Sequence, residues 1–576
     1  MTNLELAWAL EEMGDLLEIK GEEPFKVRAY HRAARSLEQF EEEASVLFCR
    51  GELEKIPGIG KNLAKKIAEL LETGQSTFLN NLRREIPSGL RQMLAIPGLG
   101  AKSVRLLYEH LHVTTLDELE EAARSKRVRQ VPGMGSKTEL AILRGIELLR
   151  ETQEKIPIGI ARSLAEMFRR QLLALPGVER VEVAGSLRRG CEMVGDVDLL
   201  AAVRPGNEVL EVMAGHPQVK EVLAREENHL CLRTWTGVKV EIFLVPPEKY
   251  TVAWFYLTGS AEHRRKLQEL ARRQGKDPAA CGLLDRLEDE GIKLDEEADI
   301  YRSLQLPFIV PELREGRGEI EAAVAGLLPR LVTLEDIKGD LHMHTRWSDG
   351  LSSIEEMVAA ARQKGYAYLA ITEHSRSLGV ARGLSVEKLL AQQEEIRSLN
   401  RKFTDITILA GIEVDILSDG SLDYAEEILA SLDLVIASIH SGFQQSEEQL
   451  MARIEAALRH PYVDILGHPT GRMLARRRPY AVDVGRIIEL AAETGTILEI
   501  NSSPDRLDLT AEAALRAKEY GVPVCINTDA HDCYHLDDIW YGVTTARRAW
   551  LEPQDIVNCW DLDKLQARLK RNRHKR

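Results

Sequence analysis

Seven short apolar runs follow one another from residue 340 onward, separated by segments whose apolar residues have helical spacing. The runs are Asp340–His344, Leu369–His374, Ile408–Asp415, Leu434–His440, Val463–His468, Ile497–Asn501 and Val524–His531. Strands that alternate with helices imply a parallel sheet with crossover helices. Polar residues stand at the C-terminal end of every run, which is where an α/β barrel builds its site. The pattern predicts a (βα)7 barrel, with an open doubly wound sheet as the alternative.

Histidines and carboxylates at these run ends are the strongest chemical signal in the sequence. His342 and His344 form an HxH pair at a strand end, so both imidazoles point the same way. The other members lie at or just after run ends: Asp349, His374, Glu413, His440, His468, Asp529 and His531. A lone surface or core histidine is the plainer interpretation of any single one, but six histidines at predicted strand ends favour a shared site. His460, His535 and His574 lack that placement and keep the plainer interpretation.

Nine such groups at one barrel mouth would repel one another or stay unpaired without cations. Mixed imidazole and carboxylate ligands suit Zn, Mn or Fe, and nine are too many for one tetrahedral ion, so we expect two or three ions. Clustered ions activate water and hold both the attacking and the leaving oxygens of a phosphoester. The sequence therefore predicts a metal-dependent phosphoesterase centre, with His342, His344, His374 and His440 at the chemistry.

Composition excludes several classes of protein. No apolar stretch in the 576 residues approaches the ~20 needed to span a bilayer, and the acidic start is unlike a signal peptide. Seven cysteines without a CxxC pair fit a reducing compartment, so we expect a cytoplasmic protein with no membrane partner. The net charge is −15, but residues 1–150 hold 22 Lys and Arg against 23 Asp and Glu. A local basic surface there can still engage phosphate.

Three passages in the first 150 residues repeat a Pro-Gly-x-Gly turn between probable helices: Ile56–Lys61, Ile96–Lys102 and Val131–Lys137. Glycine lets the backbone approach phosphate, and the next helix offers unpaired N–H donors at its N-terminus. Such binding is independent of base sequence. A single turn would more often be a plain helix connection, whereas three alike favour duplex DNA. The predicted DNA-binding residues are Gly58, Gly60, Lys61, Gly98, Gly100, Lys102, Gly133, Gly135 and Lys137.

A second phosphate site is predicted near residue 190. Gly185 and Ser186 form a turn that exposes backbone N–H groups and a hydroxyl, and Arg189 can add a charged fork. Asp196 and Asp198 then alternate on a strand, so both carboxylates lie on one face, as two-metal phosphoryl transfer requires. Either motif alone is weak evidence, because a surface Asp pair and a chance turn are both common. Together they favour a nucleotidyltransferase.

The segments DLHMHTRWSDG, ITEHS, GIEVDI, SIHSGF, GHP and NTDAH resemble the polymerase and histidinol phosphatase (PHP) family throughout 340–531. The resemblance implies a metal-dependent phosphoesterase in which all nine side chains hold three ions, of Mn²⁺ or Zn²⁺. Which ligand serves which ion does not follow from the sequence.

Residues 1–318 resemble family X DNA polymerases, and fusion with a PHP domain is the bacterial form of that family. The resemblance places Thr258, Gly259 and Ser260 beside the sugar of the incoming nucleotide, and it adds Gly195 to the nucleotide-binding set. It implies Mg²⁺ or Mn²⁺ on three carboxylates: Asp196, Asp198 and Glu241.

Two residues depart from the family pattern. The third carboxylate is normally Asp, and the extra methylene of Glu241 shifts it by more than the ~0.5 Å that catalytic groups tolerate. Arg264 stands where bacterial relatives usually carry an Asn that faces the nascent base pair. We therefore expect weakened or altered nucleotide addition, or an arginine that helps to hold a DNA end.

The first helical unit also resembles the family's 5′-deoxyribose-phosphate lyase domain, through Lys26, Tyr30 and Lys66. Lys66 occupies the Schiff-base position, where a desolvated amine beside other cations can act as a nucleophile. Asn62 replaces a phosphate-holding lysine, and a solvated structural lysine is the alternative interpretation of Lys66.

These observations together predict five segments. They are a lyase-like helical domain with the first hairpin (1–85), a helix-hairpin-helix region (86–155), a nucleotidyltransferase palm and thumb (156–318), a linker (319–337) and the PHP domain (338–576). The predicted protein is a DNA-repair enzyme that binds gapped duplex or 3′ ends, degrades DNA 3′ to 5′ in its barrel, and fills gaps with dNTPs if Glu241 permits. Two alternatives remain: a phosphatase of a small phosphomonoester, and a DNA-end-binding platform with an inactive polymerase domain.

Overall fold

The computed structural model describes residues 3–38, 40, 44–73, 76–94, 96, 99–152, 155–204, 208–281, 283 and 294–570. These residues form two compact units. Unit 1 contains residues 1–155, 210–225 and 230–239, and unit 2 contains residues 156–209, 226–229 and 240–576. Among the described helices, not one combines the length and the apolar character that crossing a membrane requires.

The described residues of unit 1 up to residue 152 form nine α-helices. They are α1 (Asn3–Lys20), α2 (Pro24–Glu38), α3 (Ala44–Arg50), α4 (Lys61–Thr73), α5 (Thr77–Glu85), α6 (Ser88–Met93), α7 (Ala101–Leu111), α8 (Leu116–Arg124) and α9 (Ser136–Thr152). The described parts of the three repeated turns share one hydrogen bond: the backbone N–H groups of Ile59, Leu99 and Met134 donate to the carbonyl three residues earlier at 3.0–3.1 Å. Each turn leads directly into a helix, α4, α7 or α9, as the repeats predicted.

The chain from residue 156 to 325 mixes strands and helices. Its elements are β1 (Ile156–Pro157), α10 (Ile158–Leu173), β2 (Val178–Val183), α11 (Gly185–Arg188), β3 (Met193–Val194), β4 (Val197–Val203), α12 (Val209–Ala214), β5 (Val219–Arg225), β6 (His229–Thr234), β7 (Lys239–Val245), α13 (Tyr250–Thr258), α14 (Ala261–Arg273), α15 (Glu297–Ser303) and α16 (Glu319–Ala325). In unit 2, β4 pairs antiparallel with β2 and parallel with β7. Strand β4 reads as an almost continuous apolar run because both of its edges are paired and α10 and α13 pack on it.

The segment expected as a linker packs against the helices that precede it. Glu319, the first residue of α16, is fully buried, and its carboxylate contacts His263 Nδ1 at 2.6 Å. Ile320, Ala323 and Leu331 join the same apolar core as Phe255 and the other helices of this region. Residues 319–331 therefore stabilise the helices that precede them.

The chain from residue 339 forms a seven-stranded parallel barrel. Its strands are β8 (Gly339–Asp340), β9 (Tyr368–Ile371), β10 (Thr407–Asp415), β11 (Leu434–Ser438), β12 (Ile465–Leu466), β13 (Ile497–Asn501) and β14 (Val524–Asn527), and they neighbour one another in chain order. The helices are α17 (Ile354–Gln363), α18 (Val386–Lys402), α19 (Glu426–Ala430), α20 (Glu447–Arg459), α21 (Val484–Thr494), α22 (Ala511–Glu519), α23 (Ile539–Arg548) and α24 (Leu562–Arg568). A parallel bridge between Met343 and Ala530 joins the first strand segment to the last. The (βα)7 prediction is confirmed, and the open sheet is excluded.

The interior of the barrel is filled at its lower end by the residues that follow β14. Val557, Leu565 and Leu569 pack with Leu341, which follows β8, and with residues of the other six strands. The buried Lys570 amine donates to the carbonyl of Leu458 at 2.8 Å and to the hydroxyl of Thr496 at 2.9 Å. Side chains of the described residues thus close the floor of the barrel, at the end opposite the C-terminal strand ends.

Candidate metal centre and nucleotidyltransferase site

The nine predicted ligands lie together at the C-terminal rim of the barrel. Eight of them form three overlapping groups whose ligand atoms are within 4.8 Å of one another: His344, Asp349, His374 and His531; His342, His344 and Asp529; His374, Glu413 and His440. The ninth, His468, has Nε2 at 2.9 Å from Glu413 Oε1. His344 and His374 each belong to two groups, so neighbouring sites share ligands.

Backbone geometry aims these side chains inward. The bridge between Met343 and Ala530 sets His342 and His344 beside Asp529, and a second bridge pairs His374 with Glu413. Two members of the set occupy the left-handed region of backbone space, with φ of 26° at His468 and 55° at Asp529. Such conformations are costly for residues other than glycine and cluster at functional sites.

Two carboxylates that the sequence interpretation missed orient the histidines. Glu499 Oε1 lies 2.7 Å from His342 Nδ1, and Asp415 Oδ1 lies 2.5 Å from His440 Nδ1. Partners of this kind fix the tautomer and the ring direction of metal-binding histidines. Asp415 is the last residue of β10, and Glu499 lies within β13. An acidic residue in an otherwise apolar barrel strand is a signal that could have found them, because a buried carboxylate needs a partner.

The imidazoles and carboxylates of the rim lie close enough to shift one another's pKa values. Burial, with His374 and His531 nearby, lowers the pKa of His344 to about 3, so its ring is neutral near pH 7. Burial opposes the charge on His440, but Glu413 and Asp415 raise its pKa to about 10. Burial also opposes ionisation of Glu413, yet the adjacent histidines hold its pKa well below its usual range. The rim thus carries ionised carboxylates in a buried setting.

Divalent cations fit this donor set. Buried polar atoms are normally hydrogen-bonded, yet several rim atoms have no hydrogen-bond partner among the described residues: His342 Nε2, both ring nitrogens of His344, His374 Nδ1, Glu413 Oε2 and His468 Nδ1. Leaving such atoms unpaired costs ~1–3 kcal/mol each. Metal ions would satisfy these donors, and the mixed imidazole and carboxylate chemistry suits transition-metal ions.

The nucleotidyltransferase residues meet at the start of β4. Asp198 is in register with Glu241 on the parallel strand β7, and Asp196 immediately precedes β4. Gly185 opens α11 with φ of 60°, and a Cβ there would lie 1.8 Å from Asp198 Oδ2. The Gly-Ser turn therefore lies directly against the Asp198 carboxylate. One oxygen of Glu241 is 2.8 Å from His229 Nε2.

Other predicted nucleotide-binding residues already make contacts within the protein. Arg189 donates through Nε to Glu315 at 3.0 Å and through Nη1 to the carbonyl of Thr258 at 2.7 Å. The Thr258 hydroxyl accepts from Arg188 at 2.7 Å, and the Ser260 hydroxyl caps α14. A Cβ on Gly259, which lies between them, would be 3.2 Å from the His263 ring. The exposed Gly195 leads into Asp196.

Arg264 at the start of α14 is held by an aromatic ring. Its guanidinium lies 4.1 Å from the centroid of Tyr256 and also donates to the Tyr256 carbonyl. This stacking fixes the side chain that departs from the family pattern.

The predicted DNA-binding turns are open in unit 1. A Cβ on Gly60, Gly100, Gly133 or Gly135 would meet no atom within 4 Å, and Gly58 lies near the flexible side chain of Arg32. The three lysines that follow these turns are exposed: Lys61, Lys102 and Lys137. Gly98 lies outside the described residues. Four of the turn glycines thus leave room for a close-approaching ligand.

The lyase candidate Lys66 lies in an aromatic setting. Its Nζ is 3.5 Å from the centroid of the Phe78 ring, and Phe78 stacks on the buried Tyr30. Burial lowers the pKa of the Lys66 amine, and the positive charge of Lys26 acts in the same direction. Lys26 itself pairs with Glu22 at 3.2 Å.

Four family models match separate parts of the chain. They are a helix-hairpin-helix domain over residues 1–76, a SAM-like helix-hairpin-helix tandem over 90–147, a DNA polymerase beta thumb over 253–315 and a PHP domain over 340–503.

One relative matches along almost the whole chain. The DNA polymerase/3'-5' exonuclease PolX of Bacillus subtilis (strain 168) is 40% identical over 566 residues, 98% of each chain. This chain belongs to the PolX family. The predicted organisation, a family X polymerase fused to a PHP domain, is thereby confirmed.

Two further relatives each match one part of this PolX-family chain. DNA polymerase lambda of Rattus norvegicus is 24% identical over 342 residues, 54% of this chain and 56% of its own. A probable phosphatase of Thermoanaerobacter sp. (strain X514) is 29% identical over 248 residues, 41% of this chain and 96% of its own. The two halves of the PolX organisation thus have separate relatives.

Proposed function

We propose that this PolX-family chain is a DNA-repair enzyme that removes nucleotides from DNA 3′ ends in its barrel and fills gaps at its nucleotidyltransferase site. The observation that carries the proposal is the three overlapping ligand groups at the barrel rim. The name of the Bacillus relative, a polymerase and 3'-5' exonuclease, supports both activities. Gapped duplex and 3′ ends are the proposed substrates, held through phosphates by the repeated hairpin turns.

At the rim, the proposed reaction is hydrolysis of the last phosphodiester. The water oxygen bonds to phosphorus, the bond from phosphorus to the 3′ oxygen breaks, and one water proton ends on that oxygen. Bound cations, for which we propose Mn²⁺ or Zn²⁺, supply water activation and charge neutralisation. The protein holds the ligand histidines in place through Glu499 and Asp415 and excludes solvent from below, because the barrel floor is closed.

At the nucleotidyltransferase site, we propose that Asp196, Asp198 and Glu241 hold Mg²⁺ or Mn²⁺ for dNTP addition, and that Glu241 weakens this activity. The longer side chain and the His229 contact at 2.8 Å support a displaced third carboxylate. The sugar of the nucleotide would lie against the Thr258–Ser260 turn. We assign Lys66 as the candidate nucleophile of a lyase reaction on 5′ ends.

The experiment follows a gapped, end-labelled duplex with Mn²⁺, with Mg²⁺ and with chelator. We expect His342→Ala to abolish degradation but not extension, and Asp198→Ala to do the reverse. His460→Ala is the matched control, because His460 lies outside the rim groups and should change neither activity. Degradation that survives replacement of both His342 and His344 would refute the assigned site.

A small phosphomonoester is the second candidate substrate, favoured by the match to a probable phosphatase over 96% of that protein. Hydrolysis of p-nitrophenyl phosphate much faster than of DNA ends, lost in His342→Ala, would establish it instead.

A further inference from the structure

Arg506 lies at the rim of the barrel but is not one of the nine predicted ligands. It belongs to the loop between β13 and α22, so it stands at the C-terminal end of a barrel strand. Its Nε is 3.7 Å from Asp529 Oδ2, which is beyond hydrogen-bonding distance. Only 20% of its side chain is exposed. Within the described parts of the chain, its guanidinium makes no hydrogen bond, although the group carries five N–H donors.

The backbone of Arg506 is held firmly. Its N–H donates to the carbonyl of Ser503 at 2.8 Å, and its own carbonyl accepts from Arg472 Nε at 3.0 Å. Arg472 in turn forms a bidentate pair with Glu192, at 2.9 and 2.6 Å. Because the main chain is fixed at this point, Arg506 is held beside the rim, and little ordering of the backbone is needed on binding.

The charge around Arg506 favours an anion. Asp529 already belongs to one of the ligand groups of the rim. The guanidinium of Arg506 lies close enough to His468 to lower the pKa of the His468 ring, in addition to the effect of burial. Arginine keeps its charge at any working pH and matches phosphate oxygens with two parallel N–H donors. A mostly buried guanidinium with free donors beside a phosphoesterase centre is therefore suited to a phosphate group.

We propose that Arg506 is a substrate-binding residue that donates to a non-bridging oxygen of the phosphodiester cleaved at the barrel rim. The inference rests on the proposed nuclease function and deepens it. A ligand phosphate that reaches Asp529 comes within range of the guanidinium, and the donors that lack protein partners then find oxygens. The same contact neutralises charge as the water oxygen bonds to phosphorus.

The test compares Arg506→Ala and Arg506→Lys with Arg476→Ala. Arg476 is the matched control, since it lies on a neighbouring loop, is 64% exposed and pairs with Asp505. For degradation of a 3′-end-labelled oligonucleotide, we expect kcat/KM to fall about 10- to 100-fold in Arg506→Ala, the loss of one charge-assisted hydrogen bond. Arg506→Lys should recover part of the loss, because lysine keeps the positive charge but lacks the two parallel N–H donors of the guanidinium. Arg476→Ala should stay within about threefold of wild type.

Two readouts separate this role from an effect on the ions. Mn content measured by mass spectrometry should be unchanged in Arg506→Ala, and dTMP, a product nucleotide, should bind the Mn-loaded variant at least 10-fold more weakly in calorimetry. Extension of a gapped primer should be unaffected. Wild-type degradation by Arg506→Ala, or a loss that excess Mn²⁺ restores, would overturn the inference. If His342→Ala also degrades DNA normally, the proposed function itself fails, whereas an inactive His342→Ala beside an active Arg506→Ala defeats only the inference.

Discussion

Replacement of Gly185 by alanine should remove DNA extension and leave DNA degradation intact. A Cβ on Gly185 would lie 1.8 Å from Asp198 Oδ2 and 2.8 Å from its Cγ. The carboxylate would have to retreat by about 1.5 Å to restore ordinary van der Waals distance. Catalytic groups tolerate only ~0.5 Å of displacement, and a 1 Å misplacement costs about 100-fold. We therefore expect gap filling to fall at least about 100-fold.

The control for this prediction is Gly177→Ala. Gly177 precedes β2 in the same unit, has φ of 83° and would place its Cβ in open space. Both variants pay the ~1 kcal/mol strain of a left-handed alanine, but only Gly185→Ala displaces a carboxylate. The assay is extension of a gapped primer with Mg²⁺ and Mn²⁺, alongside degradation of the same duplex. Equal extension by the two variants would refute the reasoning that Gly185 makes room for Asp198.

Three further outcomes are expected. Glu499→Gln should weaken Mn²⁺ binding about 10- to 100-fold in equilibrium dialysis, because the 2.7 Å contact that orients His342 becomes neutral. Glu241→Asp should raise gap filling at least tenfold in the primer assay, since the shorter side chain returns to the family geometry; no gain would exclude Glu241 as the cause of weak extension. Asp538→Asn should stabilise unit 2 by about 2 kcal/mol more at pH 8.5 than at pH 5.5 in thermal unfolding. Burial, and after it the negative charge of Asp537, raises the pKa of Asp538 in the folded protein from 3.8 to about 7. The free energy of unfolding therefore falls as the pH rises from 3.8 to about 7. An equal gain at both pH values would contradict this account.

The barrel was predictable because each strand is covered on both faces. Strands such as β11 (Leu434–Ser438) are wholly buried, so they read as apolar runs. Their ligands follow at the run ends, which is why nine of them could be picked out one by one. In a parallel barrel, the C-terminal ends of strands that are far apart in the chain meet at one rim. This convergence can therefore be inferred from a single sequence.

Contacts between distant segments were not predictable. Arg189 was expected at the phosphate of a nucleotide, but its donors lie against Glu315, which is 126 positions away. Glu499 reaches His342 across 157 positions. A single sequence gives the type of each residue and its local period, and neither reveals which far-off carboxylate satisfies a given donor.

The closed floor of the barrel has a consequence for synthesis. The hairpin turns of unit 1 lie before residue 155, whereas the floor needs Val557, Leu565 and Leu569, which a ribosome adds much later. A growing chain should therefore be able to bind duplex DNA before it is able to hydrolyse it. Ribosome-stalled chains that stop at residue 556 should retain duplex without releasing mononucleotides, and mononucleotide release from them would show that the rim assembles without its floor.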